Sequence, residues 1–216
     1  MRLFPSLLSA DFSSLEKSIS PLEKAGFKDM HLDIMDGHFV PNISYGPPVV
    51  ESIVKRFPDL NLDAHLMMDN PRLLFEKFLQ LGVKLISIHA EIEPDINWFQ
   101  ECCRNYNASL GLVFNPDTSI TDYANKIRKV DYVLLMSVQP GFGGQTFQPD
   151  VLEKISTLRS YFQGPVQIDG GINAETIKIA AGAGVDWFVA GSAVFGAEDP
   201  VAAAKSLLKE AEAAVS

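Results

Sequence analysis

Eight short apolar or β-branched runs, each followed by an amphipathic stretch, divide this 216-residue chain almost from end to end. The runs are Leu3–Leu8, Met30–Ile34, Leu62–Leu66, Leu85–His89, Leu110–Phe114, Tyr132–Met136, Pro165–Ile168 and Trp187–Ala190. Between them the apolar residues recur with helical spacing, as at Val49, Val50, Ile53, Val54 and Phe57. Strands joined through helices run parallel, and eight such units in a chain of this length close on themselves. The expected architecture is therefore one α/β domain, a (β/α)8 TIM barrel over residues 1–216. An open doubly wound sheet would want a GxGxxG turn after an early strand, and the chain has none. Helix punctuation agrees: Asn70-Pro71 reads as N-cap and first residue of a helix that Gly82 closes, and Asn173 and Asp199-Pro200 open two more. Pro21 falls inside the helical pattern Ser14–Ala25, where a kink or break is expected.

Two connections are long and rich in glycine and proline, Met35–Pro48 and Ser137–Asp150. Both follow strands, so both belong on the C-terminal face, where barrels carry function. The formal charge of -9 argues against nucleic acid and anionic membranes as partners. An anionic substrate would have to be held locally, by backbone N–H groups at helix starts. Cys102 and Cys103 are adjacent and are not expected to bridge, which suits a reducing compartment and a cytoplasmic location. The N-terminal stretch reads as a strand rather than a signal peptide, and no apolar run is long enough to span a membrane.

The chemistry concentrates at strand ends. The second run ends His31-Leu32-Asp33, the third contains Asp63-Ala64-His65, and the seventh is followed by Asp169. Residues i and i+2 share a face of a strand, so His31 and Asp33 point into the barrel together. One strand histidine is more often a satisfied core residue, and one such aspartate more often a helix cap. Four metal-competent groups at one barrel mouth are another matter, because buried charges need partners or a metal. His31, Asp33, His65 and Asp169 form a mixed nitrogen and oxygen set suited to Zn²⁺, Fe²⁺, Mn²⁺ or Co²⁺. Asp33 and Asp169 stand on separate strands and are expected to flank a substrate from opposite faces. That arrangement suits inversion of a carbon beside a carbonyl: one carboxylate removes a proton, the other returns one. Metal ligation would lower their basicity, and burial beside a like charge would raise it.

Glycine-bearing turns follow three late strands: Pro140-Gly141-Phe142-Gly143-Gly144, Gly170-Gly171 and Gly191-Ser192. Each alone reads as a tight turn; three on one rim favour a phosphate site. Met35, Met67 and Met136 lie beside the acidic and histidine positions and suggest an apolar lining that keeps water from a reactive intermediate. His38 reads as a surface residue, His89 as locally packed, and Asp36 as a loop stabiliser.

With those residues in view, the chain resembles the ribulose-phosphate 3-epimerase family over nearly its whole length. The segments that carry the resemblance are PSLLSADF, HLDIMDGHFVPNISYGPPVV, LDAHLM, NPDTSI, MSVQPGFGGQTF, DGGIN and VAGSAVF. The resemblance implies interconversion of D-ribulose 5-phosphate and D-xylulose 5-phosphate by a metal-dependent homo-oligomer. It implies that His31, Asp33, His65 and Asp169 hold one divalent ion, and that Asp33 and Asp169 are the acid/base pair. It matches Ser6, His65, Gly141, Phe142, Gly143, Gly144, Gly170, Gly171, Gly191 and Ser192 to substrate and phosphate contacts, and the three methionines to a cap. Gln139, Gln167 and Ser119 depart from the family's commoner residues, and a lysine usual early in strand five is absent.

Three other readings compete. A ketohexose-6-phosphate 3-epimerase would use the same residues. A non-catalytic sugar-phosphate binder would hold ligand without turnover. A decarboxylase or Schiff-base aldolase would want a lysine at the top of a strand, whereas Lys28 and Lys84 precede strands two and four at the opposite end.

Overall fold

A computed structural model describes residues 1–215. The eight strands are β1 (Arg2–Pro5), β2 (Asp29–Met35), β3 (Asn61–Met67), β4 (Leu85–His89), β5 (Ser109–Phe114), β6 (Tyr132–Met136), β7 (Val166–Asp169) and β8 (Trp187–Ala190). The helices are α1 (Leu15–Lys24), α2 (Pro47–Arg56), α3 (Arg72–Gln80), α4 (Ile96–Asn105), α5 (Ala124–Ile127), α6 (Glu153–Arg159), α7 (Thr176–Gly182), α8 (Ser192–Phe195) and α9 (Pro200–Ala213). All strand pairs are parallel, in the order β1-β8-β7-β6-β5-β4-β3-β2. A single parallel bridge between Ser6 and His31 joins the two end strands, so the expected TIM barrel forms as a nearly closed ring.

Burial on both faces explains why the strands read as continuous apolar runs rather than alternating ones. Their outward residues, among them Leu32, Ile34, Leu66, Ile88, Leu112, Leu135 and Ile168, pack with the helices in the main core. Their inward residues sort into layers along the barrel axis. Phe4, Leu85, Tyr132 and Val189 form an apolar floor against Trp187. Arg2 covers that end, its guanidinium 4.8 Å from the Phe4 ring and 4.7 Å from the Trp187 ring, and ion-paired to Asp29. Above the floor the interior turns polar: His31, Asp33, Asp63, His65, Ser87, His89 and Gln167 are all buried. Met35 and Met67 cluster with Val40, and Met136 with Val138, at the far end.

Several boundaries differ from the sequence expectation. β1 stops at Pro5 rather than Leu8, because the Ser6 hydroxyl accepts the Leu8 N–H and starts a 3-10 turn over Leu7–Ser9. β7 begins after Pro165, which has no N–H to donate although its carbonyl accepts the Val133 N–H of β6, and runs on to Asp169. Pro71, not Asn70, is the N-cap of α3. α1 runs through Pro21 without the expected break. Pro21 and Lys17, the residue four before it, are both exposed, so water can reach the carbonyl whose partner the proline removes. Asn173 accepts the Glu175 and Thr176 N–H groups through its side chain and so caps α7 from three residues before its first residue. Asp199 and Pro200 cap and open α9 as expected.

Candidate active site

His31, Asp33, His65 and Asp169 each offer one ligand atom, and those atoms lie within 4.8 Å of one another. Strand register brings them there: Asp33 lies level with His65 on β3, and Asp169 is level with Met136 on β6. His31 Nε2 and His65 Nδ1 each sit 3.4 Å from Asp33 Oδ1 and 3.9 Å from Asp169 Oδ2. Tetrahedral bonds of ~2.1 Å put neighbouring donor atoms roughly 3.4 Å apart. Both nitrogens are buried without a hydrogen-bond partner, which is costly unless a lone pair meets a cation. The donor set thus fits a divalent ion by geometry and by chemistry.

The other nitrogen of each histidine is occupied. His31 Nδ1 donates to Asp63 Oδ2 at 2.8 Å, which turns Nε2 toward the centre. Asp63 is wholly buried and also accepts from the Tyr132 hydroxyl at 2.9 Å and from Gln167 Nε2 at 2.7 Å. Burial and the Asp63 charge push the Tyr132 phenol well up, so it remains a donor. Gly111 leaves room for this ring, since a Cβ there would lie 2.4 Å from Tyr132 Cζ. His65 Nε2 lies 2.8 Å from His89 Nε2, and His89 Nδ1 lies 3.0 Å from Glu91 Oε2.

The two central carboxyls differ. Burial raises Asp33, but the neighbouring His31, and after it His65, outweigh burial and hold the group well below the usual carboxylate range. Ser6 adds a donor at 2.6 Å to Asp33 Oδ2. Burial and the Asp33 charge push Asp169 up to about 7. Burial works against the charged form of His31, but Asp33 and Asp63 prevail and raise it well above the usual imidazole value; burial lowers His65.

A pocket opens above this layer. Its wall includes Ser6, Asp33 and Asp169, together with Met35, Met67 and Met136. Gly141, Phe142, Gly143 and Gly144 contribute from the loop after β6, Gly170 and Gly171 from the turn after β7, and Gly191 and Ser192 from the turn after β8. His31 and His65 lie fully buried beneath it. Every residue singled out from the sequence is therefore in the pocket wall or the layer below. The two long loops meet at the rim, where Asn42 Nδ2 donates to the Gly141 carbonyl at 2.7 Å. Ser44 pins the first to the end of β2, donating to the Asp33 carbonyl and accepting the Met35 N–H. Gly171 has φ of +60° and its missing Cβ would lie 2.6 Å from the Phe147 backbone nitrogen, so no other residue fits without displacement. No lysine lines the pocket among the described residues.

The residues set aside behave unequally. His38 is exposed and holds its own loop through the Asp36 carbonyl, and Asp36 accepts the N–H groups of His38, Phe39 and Asp69. His89, read as locally packed, instead touches a central histidine. Asp63 was passed over, although it shares a strand face with His65 at i and i+2, the spacing that singled out His31 and Asp33. Cys102 and Cys103 are free and buried, and burial pushes the thiols up to about 11 and about 12, so both are inert. No helix among the described residues is long and apolar enough to cross a membrane.

Comparison with known proteins agrees with this site. The model of the Ribulose-phosphate 3 epimerase family matches residues 2–195. A ribulose-phosphate 3-epimerase of Mycobacterium leprae (strain TN) is 42% identical over 214 residues, 97% of this chain and 94% of that protein. One from Bacillus subtilis (strain 168) is 40% identical over 205 residues, 92% of this chain and 94% of its own length. Among solved structures, KGPDC from Streptococcus mutans in complex with D-R5P shares the fold with a TM-score of 0.75 at 16% identity, over 99% of this chain and 98% of that one. A match across nearly the whole length, with relatives at about 40% identity, shows that the chain belongs to the ribulose-phosphate 3-epimerase family, carbohydrate-phosphate epimerases of the isomerase class.

Proposed function

We propose that the chain interconverts D-ribulose 5-phosphate and D-xylulose 5-phosphate by proton transfer between C3 and two carboxyl groups. The observation that carries this reading is the pairing of Asp33 and Asp169 in one pocket wall with opposite electrostatic settings. Their strands are three steps apart round the ring, β2 to β1 to β8 to β7, which lets the carboxyls approach a flat substrate fragment from different sides. In the direction starting at Asp33, that carboxylate takes the C3 proton and leaves a planar enediolate. Asp169, holding a proton, gives it to the opposite face; the reverse direction exchanges the roles. Ser6 steadies Asp33 through its hydroxyl. The methionines keep water from the enediolate. A divalent ion such as Zn²⁺, Fe²⁺, Mn²⁺ or Co²⁺, held by His31, Asp33, His65 and Asp169, would supply Lewis-acid stabilisation of the enediolate oxygen.

The phosphate is assigned to the mouth, where Gly170, Gly171, Gly191 and Ser192 offer backbone unshielded by large side chains. The loop at Gly141–Gly144, with Phe142 on it, closes the other side. The same reading takes residues 1–216 as one barrel domain, since every element from β1 to α9 belongs to the one ring; Ser216 lies outside the described residues. Turnover measured on a panel of ketose 5- and 6-phosphates tests the assignment. It requires the highest kcat/KM with the pentulose phosphates. A preference for a hexulose 6-phosphate would move the assignment to a ketohexose-6-phosphate 3-epimerase, and ligand binding with no turnover on any member would leave only a sugar-phosphate binder.

A further inference from the structure

His65 is the one central histidine whose outer nitrogen meets another imidazole rather than a carboxylate. His65 Nε2 and His89 Nε2 are 2.8 Å apart, and both rings are fully buried. Two neutral imidazoles in this contact share one hydrogen, so one ring donates and the other accepts. The contact itself does not say which. The third member does: Glu91 Oε2 is 3.0 Å from His89 Nδ1, and a carboxylate can only accept. Glu91 is firmly ionised, because against its burial it accepts from His89, from the Thr118 hydroxyl and from the Asn115 N–H, and these hold it down to about 2. His89 must therefore carry its hydrogen on Nδ1 and present a lone pair at Nε2. His65 must then donate from Nε2, which leaves its Nδ1 bare, and Nδ1 is the buried, unpartnered atom 3.4 Å from Asp33 Oδ1.

We propose that Glu91 and His89 are positioning residues that fix the tautomer of His65, keeping its Nδ1 free to bind the metal ion. The proposal rests on the metal reading of the central site. Asp63 does the same for His31 in one step, through a direct carboxylate contact; on the β3–β4 side the carboxylate lies one residue further out, and His89 relays its effect. A wrong tautomer would place an N–H against the ion, and outer partners of this kind change metal affinity by ~10–100-fold. Glu91 also holds the loop after β5 through Asn115 and Thr118, so a purely structural role has to be separated from the relay.

The test is ¹⁵N NMR of the histidine rings in the full-length chain, with zinc affinity measured by competition against a chromophoric chelator. The wild-type spectrum should show the hydrogen on Nδ1 of His89 and on Nε2 of His65, with a scalar coupling between the two Nε2 nitrogens across the hydrogen bond. A hydrogen on His89 Nε2 donated to His65 would overturn the proposal without any variant. Glu91→Gln, whose amide can also donate, should release His89 into a mixture of tautomers and weaken zinc binding at least tenfold. His89→Phe should weaken it at least as much, while His89→Gln, which can still accept from His65, should recover most of the loss. Thr118→Val removes one of the two loop tethers, leaves the Glu91–His89 contact in place, and should leave zinc affinity within twofold. Glu91→Gln and His89→Phe both binding zinc within twofold of wild type would sink the relay. No zinc bound by the wild-type chain would instead sink the metal reading, and the wild-type spectrum would still decide the tautomers.

Discussion

Asp33 and Asp169 share one pocket but keep different company. Asp33 accepts from Ser6 and lies beside the two histidines, whereas Asp169 faces chiefly burial and the charge of Asp33. This asymmetry has a consequence for pH. Below about 7, Asp169 in the metal-free protein holds a proton, and Asp33 and Asp63 favour the protonated form of His31, so a cation competes with protons at both. Zinc affinity is therefore expected to fall as pH drops through 7, by about tenfold per unit or more as protons are displaced from these ligands. Competition titrations between pH 5.5 and 8 check this, and a flat profile would contradict it. Asp33→Asn and Asp169→Asn should each lower kcat by ~10²–10⁴, the usual range for loss of an acid or base. Metal content has to be measured in both first, because an amide is also a poorer ligand. The four central residues were readable from i, i+2 spacing and strand ends alone. The inward position of Asp63 was readable in the same way, but the parts played by Asp63, His89 and Glu91 were not, because they depend on which nitrogen of which ring each one faces.

The elements place these residues by what they leave out as much as by what they contain. Strand β5 carries no polar ligand, but Gly111 within it makes space for the Tyr132 ring that reaches Asp63. Gly111→Ala should destabilise the fold by roughly 1–3 kcal/mol through overpacking and weaken metal retention with it. Urea unfolding and metal analysis check both effects, and an unchanged midpoint would mean that the ring yields freely. In the turn after β8, a Cβ at Gly191 would lie 2.5 Å from Ser9 Oγ. Gly191→Asp should raise KM for a phosphorylated ketose at least tenfold, by crowding that wall and setting a carboxylate against the anion. An unchanged KM would remove the phosphate from this turn. Element identity was legible along the whole chain because fully buried parallel strands and amphipathic helices have distinct patterns. Ends were less so: at β1 the Ser6 side chain competes with the ladder for the backbone, and at Pro21 solvent supplies what the helix lacks.

At the scale of the molecule, the proposed function asks a chain of net charge -9 to take an anionic substrate into a pocket that already holds two carboxyls. The barrel reconciles these by separating functions along its axis. An apolar floor closes one end, a polar layer holds the histidines and the inward carboxyls, and glycine turns line the mouth, where the proposed function puts the phosphate. The order of strands, the nearly closed ring and a candidate site at the C-terminal ends of the strands followed from counting eight units in 216 residues. The partition into layers did not, since it rests on which residues the ring sets at equal height. The central claim is that two carboxyl groups exchange the C3 hydrogen from opposite faces. Its most direct test is epimerisation in D₂O under initial-rate conditions, with product deuterium read at C3 by NMR. Two-base transfer predicts essentially full incorporation at C3 from the first turnover, because the returning proton comes from a group equilibrated with solvent. Product that keeps its original C3 hydrogen would contradict the account and point to return by a single base.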